Sequence, residues 1–406
     1  MNRVGKLTNE MILNYFIVLY SFSIPLSRAG IGVFSFLIMA TWLFKNDKKK
    51  DIGFILNSKS LILLILFLFF SAISLLWSSN LDEGYNYLVR YWYFLPVFII
   101  ATNLKKEFVS ITISTFLIAM LISEILSYGM FFEIINISNP SSPFPTPFMN
   151  HLQYSAFVVF TALILLNKIY YTSVIKEKIL YFIFFLTVTI NIFINGGRIG
   201  YMAFFIVIFI VLFLNIKDKL KAFLLSAILI ISSIYLAYSY SPTFQKRLSD
   251  TKKELVKISN KDFSSSFGQR LAMIYIGTQI VLDTSLLGVG IGDEMDVLKE
   301  YVNSDYPELK ILNDRRHFHN IFLHITVQLG IVGLVLLLVM FYYLLKVDIS
   351  NRYILNIKYI FLSVYLVTSL TGNMFHQQFT MALFTLIVAI ILTQNRIENN
   401  QEGYRV

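Results

Sequence analysis

Residues 60–77 read SLILLILFLFFSAISLLW, a stretch without a single charged side chain. A bilayer core about 30 Å thick is crossed by roughly 20 apolar residues in helical form. The stretch therefore predicts a transmembrane helix. Similar apolar runs lie between charge clusters near residues 10–25, 29–44, 85–103, 108–128, 151–167, 179–194, 198–215, 222–240, 319–345, 353–371 and 374–393. The sequence thus predicts an all-α polytopic membrane protein with about twelve transmembrane helices.

The composition of the 406-residue chain agrees with this prediction. Hydrophobic residues make up 56% of the chain and charged residues only 14%. Soluble domains carry roughly 25% charged residues, so a soluble globular protein is excluded. The chain has no cysteine, which excludes disulfides, thiolate nucleophiles and cysteine-ligated metals.

Lysine and arginine are concentrated in alternate loops. The basic clusters lie at residues 3–6, 45–59, 105–106, 168–178, 217–221, 346–352 and 396, and the short loops between them hold very little positive charge. Positive loops face the cytoplasm, so both termini are predicted to be cytoplasmic. The net charge of +10 is then mostly a topology signal, and no nucleic-acid partner is expected.

One long polar segment interrupts the apolar pattern and is predicted to form a partly helical loop domain on the outer side. The predicted domains are transmembrane helices 1–9 in residues 1–240, the loop domain in residues 241–318, and helices 10–12 with a cytoplasmic tail in residues 319–406. Within the loop domain, helical spacing predicts helices over residues 242–261, 269–283 and 293–301, with a glycine turn at residues 288–292.

Ionisable groups at membrane depth are costly, so those that occur are functional candidates. Arg198 follows Asn-Gly-Gly at the start of a predicted span, where its guanidinium and the free N–H groups of the helix could face one anion. The alternative is an interfacial arginine that extends its charge toward water. Arg28 and Arg90 are the other arginines at the outer ends of the spans, and both are candidates for lining a lumen.

All five histidines are predicted to lie on the outer side. His319 and Asn320 open the tenth predicted span, in which Gly330 and Gly333 predict close helix packing. A histidine near neutral pKa suits proton removal from a sugar hydroxyl, and a helix-capping histidine is the alternative. His317 and His319 do not share a helical face, and no metal site is predicted. The acidic residues 293–296 indicate a solvated helix start.

Four short motifs resemble those of the O-antigen ligase and polymerase superfamily. They occur in the family's order: MNHLQYSA at 149–156, NGGRIG at 195–200, RLAMIY at 270–275 with GVGIG at 288–292, and HNIFL at 319–323 continuing to QLGIVG at 328–333. Ile199 departs from the pattern, since the family often has a small residue beside the arginine. Together with the predicted topology, the motifs identify a resemblance over most of the chain.

The resemblance implies a metal-independent inverting glycosyltransferase without a cofactor, active at the periplasmic face of the bacterial inner membrane. Such enzymes take part in lipopolysaccharide biosynthesis and transfer a glycan from undecaprenyl diphosphate to an acceptor. By resemblance, Arg198 and Arg270 would bind the diphosphate and His319 would activate or orient the acceptor hydroxyl. Asn320, Arg28 and Arg90 are further candidates for substrate binding.

The first hypothesis is an O-antigen ligase, whose acceptor is the lipid A-core oligosaccharide, because a single large outer loop favours a ligase over a polymerase. An O-antigen polymerase and a protein O-oligosaccharyltransferase are the alternatives within the superfamily. A transporter of lipid-linked glycans is the alternative outside it. A transporter predicts charges at mid-membrane in several helices, whereas the predicted spans are nearly free of charge at their centres.

Overall fold

Helices, with the 3-10 helices counted, account for 80% of the residues that the structure describes, and no strand occurs among them. The structure is a computed structural model that describes residues 8–137, 139, 142–284 and 286–402, with the backbone alone for residues 401 and 402. The all-α prediction is confirmed. The predicted cytoplasmic placement of the two termini concerns residues 1–7 and 403–406, which lie outside the described residues.

The helices follow one another along the chain, most of them joined by short loops. They are α1 Asn9–Ser23, α2 Arg28–Leu43, α3 Lys49–Asn57, α4 Lys59–Ile73, α5 Leu81–Arg90, α6 Pro96–Asn103, α7 Lys106–Phe131, α8 His151–Tyr171, α9 Ile175–Ile194, α10 Arg198–Asn215, α11 Lys219–Tyr240, α12 Pro242–Ser259, α13 Ser266–Asp283, α14 Glu294–Ser304, α15 Ile321–Lys346, α16 Arg352–Ser369 and α17 Gln378–Glu402. Short 3-10 helices lie at Ser74–Leu76, Tyr91–Phe94, Pro307–Leu312 and Met374–His376.

Several of these helices are long and apolar enough to cross a membrane, which indicates a multi-pass membrane protein. Among the described residues, eight helices meet both conditions, and α2 is a shorter apolar helix. The eight segments are Lys59–Leu76, Lys106–Phe131, His151–Tyr171, Ile175–Ile194, Arg198–Asn215, Lys219–Tyr240, Ile321–Lys346 and Gln378–Asn400. Length and hydropathy therefore support fewer crossings than the twelve predicted.

The predicted span near residues 85–103 is not one helix. It consists of the end of α5, a 3-10 turn at Tyr91–Phe94, and α6. Pro96 is at the start of α6, where its missing N–H leaves no helical hydrogen bond unmade. The interruption places the polar helix α5 at one end of the bundle, beside the segment that follows α4.

Residues that are distant in sequence contact one another at the two ends of the bundle, and these contacts agree with the charge pattern. At the lysine-rich end, Lys45 Nζ lies 2.8 Å from Asn103 Oδ1, and Lys105 pairs with Glu10 at 3.0 Å. At the other end, Arg90 contacts the His376 ring at 3.0 Å. Residues predicted to lie on one side of the membrane therefore contact one another.

The helices predicted in the loop domain are confirmed as α12, α13 and α14. Helices α13 and α14 share a small apolar core with the start of α15, separate from the large core of the bundle. Its centre is formed by Ile276, Ile280, Leu298, Leu312 and Phe318, all fully buried. This core holds α13, and with it Arg270, against the segment that carries His319.

Candidate active site

Helix α15 is broken at Gly330, and the glycine turn of residues 288–292 fills the break. Gly330 has φ 64° and ψ −165°, a conformation that is essentially restricted to glycine. The break leaves carbonyl groups of α15 without helical partners. Two N–H groups of the turn donate to them at 3.0 Å, Val289 to Val327 and Gly290 to Gln328. The turn is thereby fixed to the helix that follows His319.

The acidic residues after the turn are buried rather than solvated, so the predicted solvated helix start is wrong for Asp293 and Glu294. Asp293 is 7% exposed and Glu294 is fully buried. Asp293 accepts hydrogen bonds of 2.7 Å from the backbone N–H groups of Ser79 and Asn80. These bonds tie the loop domain to the segment before α5. Only Asp296 is exposed.

Glu294 lies in a buried polar cluster beneath the histidines. Its Oε2 atom accepts a hydrogen bond of 3.1 Å from Gln328 Nε2, and its Oε1 atom lies 3.8 Å from His324 Nε2. Burial raises the pKa of the Glu294 carboxyl group. The Tyr87 hydroxyl interacts with the Glu294 carboxylate, and within the described part of the chain both His324 ring nitrogens are buried without a hydrogen-bond partner.

His319 stands just before α15, and its neighbour caps that helix. The Asn320 side chain accepts a hydrogen bond of 3.1 Å from the Leu323 N–H, as expected for an N-cap. The His319 Nδ1 atom is buried and has no hydrogen-bond partner among the described residues. Burial, together with the charges of His317 and Arg270, lowers the pKa of His319 to about 3. The ring is therefore neutral near pH 7.

Three histidine rings and one tyrosine ring form a row at this end of the bundle. The ring centroids are 4.6 Å apart between His319 and His317 and 5.2 Å apart between His317 and His376. Tyr87 continues the row 5.0 Å from His376. Arg90 lies beside it, with its Nη1 atom 3.0 Å from His376 Nε2.

Arg198 is the first residue of α10, and it is held by helix α12. The Arg198 guanidinium makes two hydrogen bonds to the Glu254 carboxylate, at 2.6 and 3.2 Å, and one to Thr251 at 3.1 Å. The side chains of Arg198 and Glu254 are 24% and 13% exposed. Gly197 packs against Ser155 of α8 so closely that a Cβ atom would overlap its hydroxyl. The guanidinium is thus held by α12, and the backbone that precedes Arg198 is held by α8.

Arg247 and Arg270 add two further positive charges beside Arg198. Arg247 Nε donates to the Gly196 carbonyl at 2.9 Å, and its guanidinium lies 4.5 Å from the Phe144 ring centroid. Burial and then the charge of Arg198 lower the pKa of Arg270 to about 10. No hydrogen bond or ion pair joins the Arg270 guanidinium to the described residues. The cluster can therefore accept a polyanion.

The comparison with known families matches this part of the chain. A profile of the family described as O-Antigen ligase matches residues 182–338. The resemblance to the O-antigen ligase superfamily is thereby confirmed. No curated protein matches the chain. The matched segment runs from α9 into α15, and it contains Arg198, Arg270 and His319 but neither Arg28 nor Arg90.

The structure brings most of the predicted site residues to one end of the bundle. Arg198 and Arg270 share one cation cluster, and Arg270 also acts electrostatically on His319. Arg28 and Arg90 line a cavity together with His317 and His376 of the histidine row. Asn320 lies beside His319, but its side-chain oxygen caps α15.

Sequence reasoning missed several residues that the fold adds to this candidate site. Arg247 lies in the charge-rich segment of α12, and the sequence alone does not distinguish it from the solvated cations of that segment. Glu294 and Gln328 meet only because the glycine turn packs on α15. Arg316 directly precedes His317, and this adjacency was the signal that could have identified it.

Among the residues that the structure describes, no three histidine, aspartate or glutamate side chains are grouped to hold a metal ion.

Proposed function

We propose that this protein is an O-antigen ligase that transfers O-antigen polysaccharide from undecaprenyl diphosphate to the lipid A-core oligosaccharide. The observation that carries the proposal is the electrostatic proximity of Arg198 to Arg270 and of Arg270 to His319. These residues come from three separate segments, α10, α13 and the segment just before α15, at one end of an apolar helical bundle. The match of residues 182–338 to the family profile supports the same reaction class.

In the proposed reaction, the arginines stabilise the leaving diphosphate. The acceptor oxygen forms a bond to the anomeric carbon, and the bond from that carbon to the phosphate oxygen breaks. Negative charge then develops on the lipid diphosphate. Arginine suits this role because its planar fork binds phosphate oxygens bidentately and stays charged. Preorganised cations of this kind account for large rate effects.

The Arg198–Glu254 pair supports the proposed donor site. Glu254 Oε2 lies 2.6 Å from Arg198 Nη1 and orients the guanidinium. A diphosphate would share or take over these hydrogen bonds. Arg270 has no carboxylate partner among the described residues and is the stronger candidate for direct phosphate binding.

His319 is proposed to orient the acceptor hydroxyl and take its proton. Its low pKa keeps it neutral near pH 7, chiefly because of burial. Arg270 and Arg315 add smaller contributions to this lowering, and a bound diphosphate would offset their charges. The pKa of His319 would then rise toward the range in which a general base is effective. Donor binding would thus prepare the base.

An apolar surface for the lipid lies beside the donor arginines. A cavity of about 270 Å³ between α10 and α12 is lined by Arg198, Arg247 and the apolar side chains of Tyr201, Phe205 and Phe244. The charged groups at its edge and the aromatic rings inside it match a diphosphate joined to an isoprenoid chain. The active end of the bundle is proposed to face the periplasm of the bacterial inner membrane.

The test is deletion of the gene in the bacterium that carries it, followed by electrophoresis of its lipopolysaccharide. A ligase defect leaves lipid A-core without polymer while long lipid-linked polymer accumulates. Attachment of a single repeat unit would show a polymerase instead. Unchanged lipopolysaccharide would refute both, and a change in glycosylated proteins alone would indicate a protein O-oligosaccharyltransferase.

Complementation with variants tests the residues. We expect Arg198→Ala, Arg270→Ala and His319→Ala each to abolish polymer attachment while the protein still inserts into the membrane. Lys253→Ala is the matched control, because Lys253 is an exposed cation beside Glu254 on α12 and should leave attachment unchanged. Normal attachment by His319→Ala would exclude the role proposed for that residue.

A further inference from the structure

A second cation-lined cavity is lined by His317 and His376 of the histidine row and by none of the arginines Arg198, Arg247 and Arg270. Its volume is about 400 Å³, within the range of small-molecule sites. Arg28, Arg90 and Arg316 line it. The other polar lining side chains are three glutamines, two histidines and a tyrosine, and no aspartate or glutamate lines it.

The charges in this cavity are largely unpaired. Arg28 and Arg316 are exposed, and among the described residues neither makes an ion pair. Arg90 contacts His376 and lies 3.8 Å from Glu83 across a solvent-exposed gap. An ion pair that is exposed and this long contributes little stabilising free energy. Among the described residues, three arginines and no carboxylate line this cavity, so its lining carries an excess of positive charge.

A neighbouring cavity provides the contrast. It has a volume of about 460 Å³ and shares Arg90, Arg316 and His376 with the first, but it is also lined by four acidic residues. They are Asp82, Glu83, Glu294 and Asp296. The two cavities share a wall, and only the one beside Arg28 lacks acidic groups. The absence of carboxylates is thus a property of that cavity and not of the whole surface.

The second cavity is separate from the donor cluster. The rings of the histidine row lie in sequence from His319 through His317 to His376. Arg270 and Arg315 act on His319, whereas Arg90 and Arg316 act on His376. His317, in the middle, is influenced by Arg270, Arg315 and Arg90. Arginines therefore act on both ends of the histidine row.

We propose that the cavity lined by Arg28, Arg90 and Arg316 binds an anionic group, a phosphate or a sugar carboxylate, carried by the acceptor. This inference rests on the proposed function, because it assigns the first arginine group to the donor. It explains why arginines act on both ends of the histidine row. Two separate anions, one on each substrate, would place the acceptor hydroxyl over His319.

The first test measures steady-state transfer by the purified full-length protein with donor and an anionic acceptor. Each lost charge-assisted contact is worth about one order of magnitude in binding. We expect the double variant Arg28→Gln, Arg316→Gln to raise the acceptor KM by about 10- to 100-fold, with kcat and donor KM little changed. Arg28→Lys with Arg316→Lys should restore most of the affinity, and Lys253→Gln should have no effect.

The acceptor is then altered to identify the anion. Phosphatase-treated acceptor tests phosphate, and acceptor with its carboxyl groups reduced tests carboxylate. The treatment that removes the recognised group should raise the wild-type KM and abolish the difference between wild type and double variant. The proposal would be overturned if the double variant kept the wild-type acceptor KM. It would also be overturned if the ratio of acceptor KM between the double variant and wild type were the same with both treated acceptors.

A binding measurement separates this inference from the proposed function. Titration calorimetry with inorganic diphosphate should show two classes of site in the wild-type protein. Arg28→Gln, Arg316→Gln should remove one class, and Arg198→Gln, Arg270→Gln the other. A single class of site that only Arg198→Gln, Arg270→Gln removes would refute anion binding in the cavity beside Arg28, even if transfer occurs. Two classes without any transfer would preserve the anion sites and refute the reaction.

Discussion

The break in α15 leads to a prediction on stability and activity together. Replacing Gly330 by alanine places a side chain on a residue with φ 64° and ψ −165°. Such a conformation costs a residue with a Cβ atom about 1–3 kcal/mol. The new methyl group would also overlap the backbone carbonyl of Leu286 in the loop before the glycine turn. The turn must therefore move away from the helix.

The magnitude follows from the contacts that this movement breaks. The hydrogen bonds from Val289 to Val327 and from Gly290 to Gln328 are both 3.0 Å long, and each contributes about 0.5–1.5 kcal/mol. Together with the strain, Gly330→Ala is expected to lower the free energy of unfolding by about 2–6 kcal/mol. The turn also carries Glu294, so the polar cluster beneath the histidines should be disturbed and transfer reduced.

The control is Gly32→Ala in α2. A Cβ atom at Gly32 meets nothing within 4 Å, and alanine in a helix interior is favoured over glycine by about 0.5–1 kcal/mol. Thermal unfolding of the purified proteins, followed by tryptophan fluorescence, should rank Gly330→Ala below wild type and Gly32→Ala at or above it. Equal unfolding temperatures for the two variants, with full transfer by Gly330→Ala, would refute the reasoning.

Three further predictions concern pH, metal ions and the donor site. The pKa values of His319 and His376 are lowered to about 3 and about 2. Between about pH 6.5 and 3 the unfolded chain therefore binds more protons than the folded protein, and the free energy of unfolding falls as the pH falls. His319→Gln should make this decline shallower, and an unchanged decline would contradict the prediction. EDTA should leave transfer by the purified protein unchanged because arginines supply the positive charge, whereas inhibition reversed by a divalent cation would overturn this. Glu254→Gln should lower the donor KM because it removes the negative charge 2.6 Å from Arg198, and a raised KM would show that Glu254 mainly orients the guanidinium.

Local pattern was sufficient to predict most helices. The amphipathic spacing of residues 242–261 and 269–283 predicted α12 and α13, which begin and end within a few residues of the expected bounds. The signals were charge content and helical spacing of apolar residues, both of which act within one helix. The predicted span at residues 85–103 failed because apolar content alone does not show that Pro96 begins a new helix.

The interior of the site depends on contacts that no local pattern encodes. Gly330 was interpreted as a helix-packing glycine, whereas in the structure it breaks the helix and receives the turn of residues 288–292. That long-range contact buries Glu294, which local reasoning had interpreted as part of a solvated helix start. The arginines and His319 were predictable as individual candidates, and their arrangement around the histidine row was not.

A buried cation is not by itself a functional group, and Lys358 is an example in this chain. Lys358 is 2% exposed within α16, but its Nζ atom donates to the carbonyl oxygens of Leu345 and Val347 at 2.9 and 2.7 Å. It completes the end of α15, so its charge has a structural role. The Nε atom of Arg315, by contrast, is buried without a partner among the described residues. Leaving a buried donor unsatisfied is costly unless a ligand supplies the missing acceptor. By this criterion we propose Arg315, which acts electrostatically on His319, and not the lysine at the opposite end of the bundle, as a substrate-binding residue.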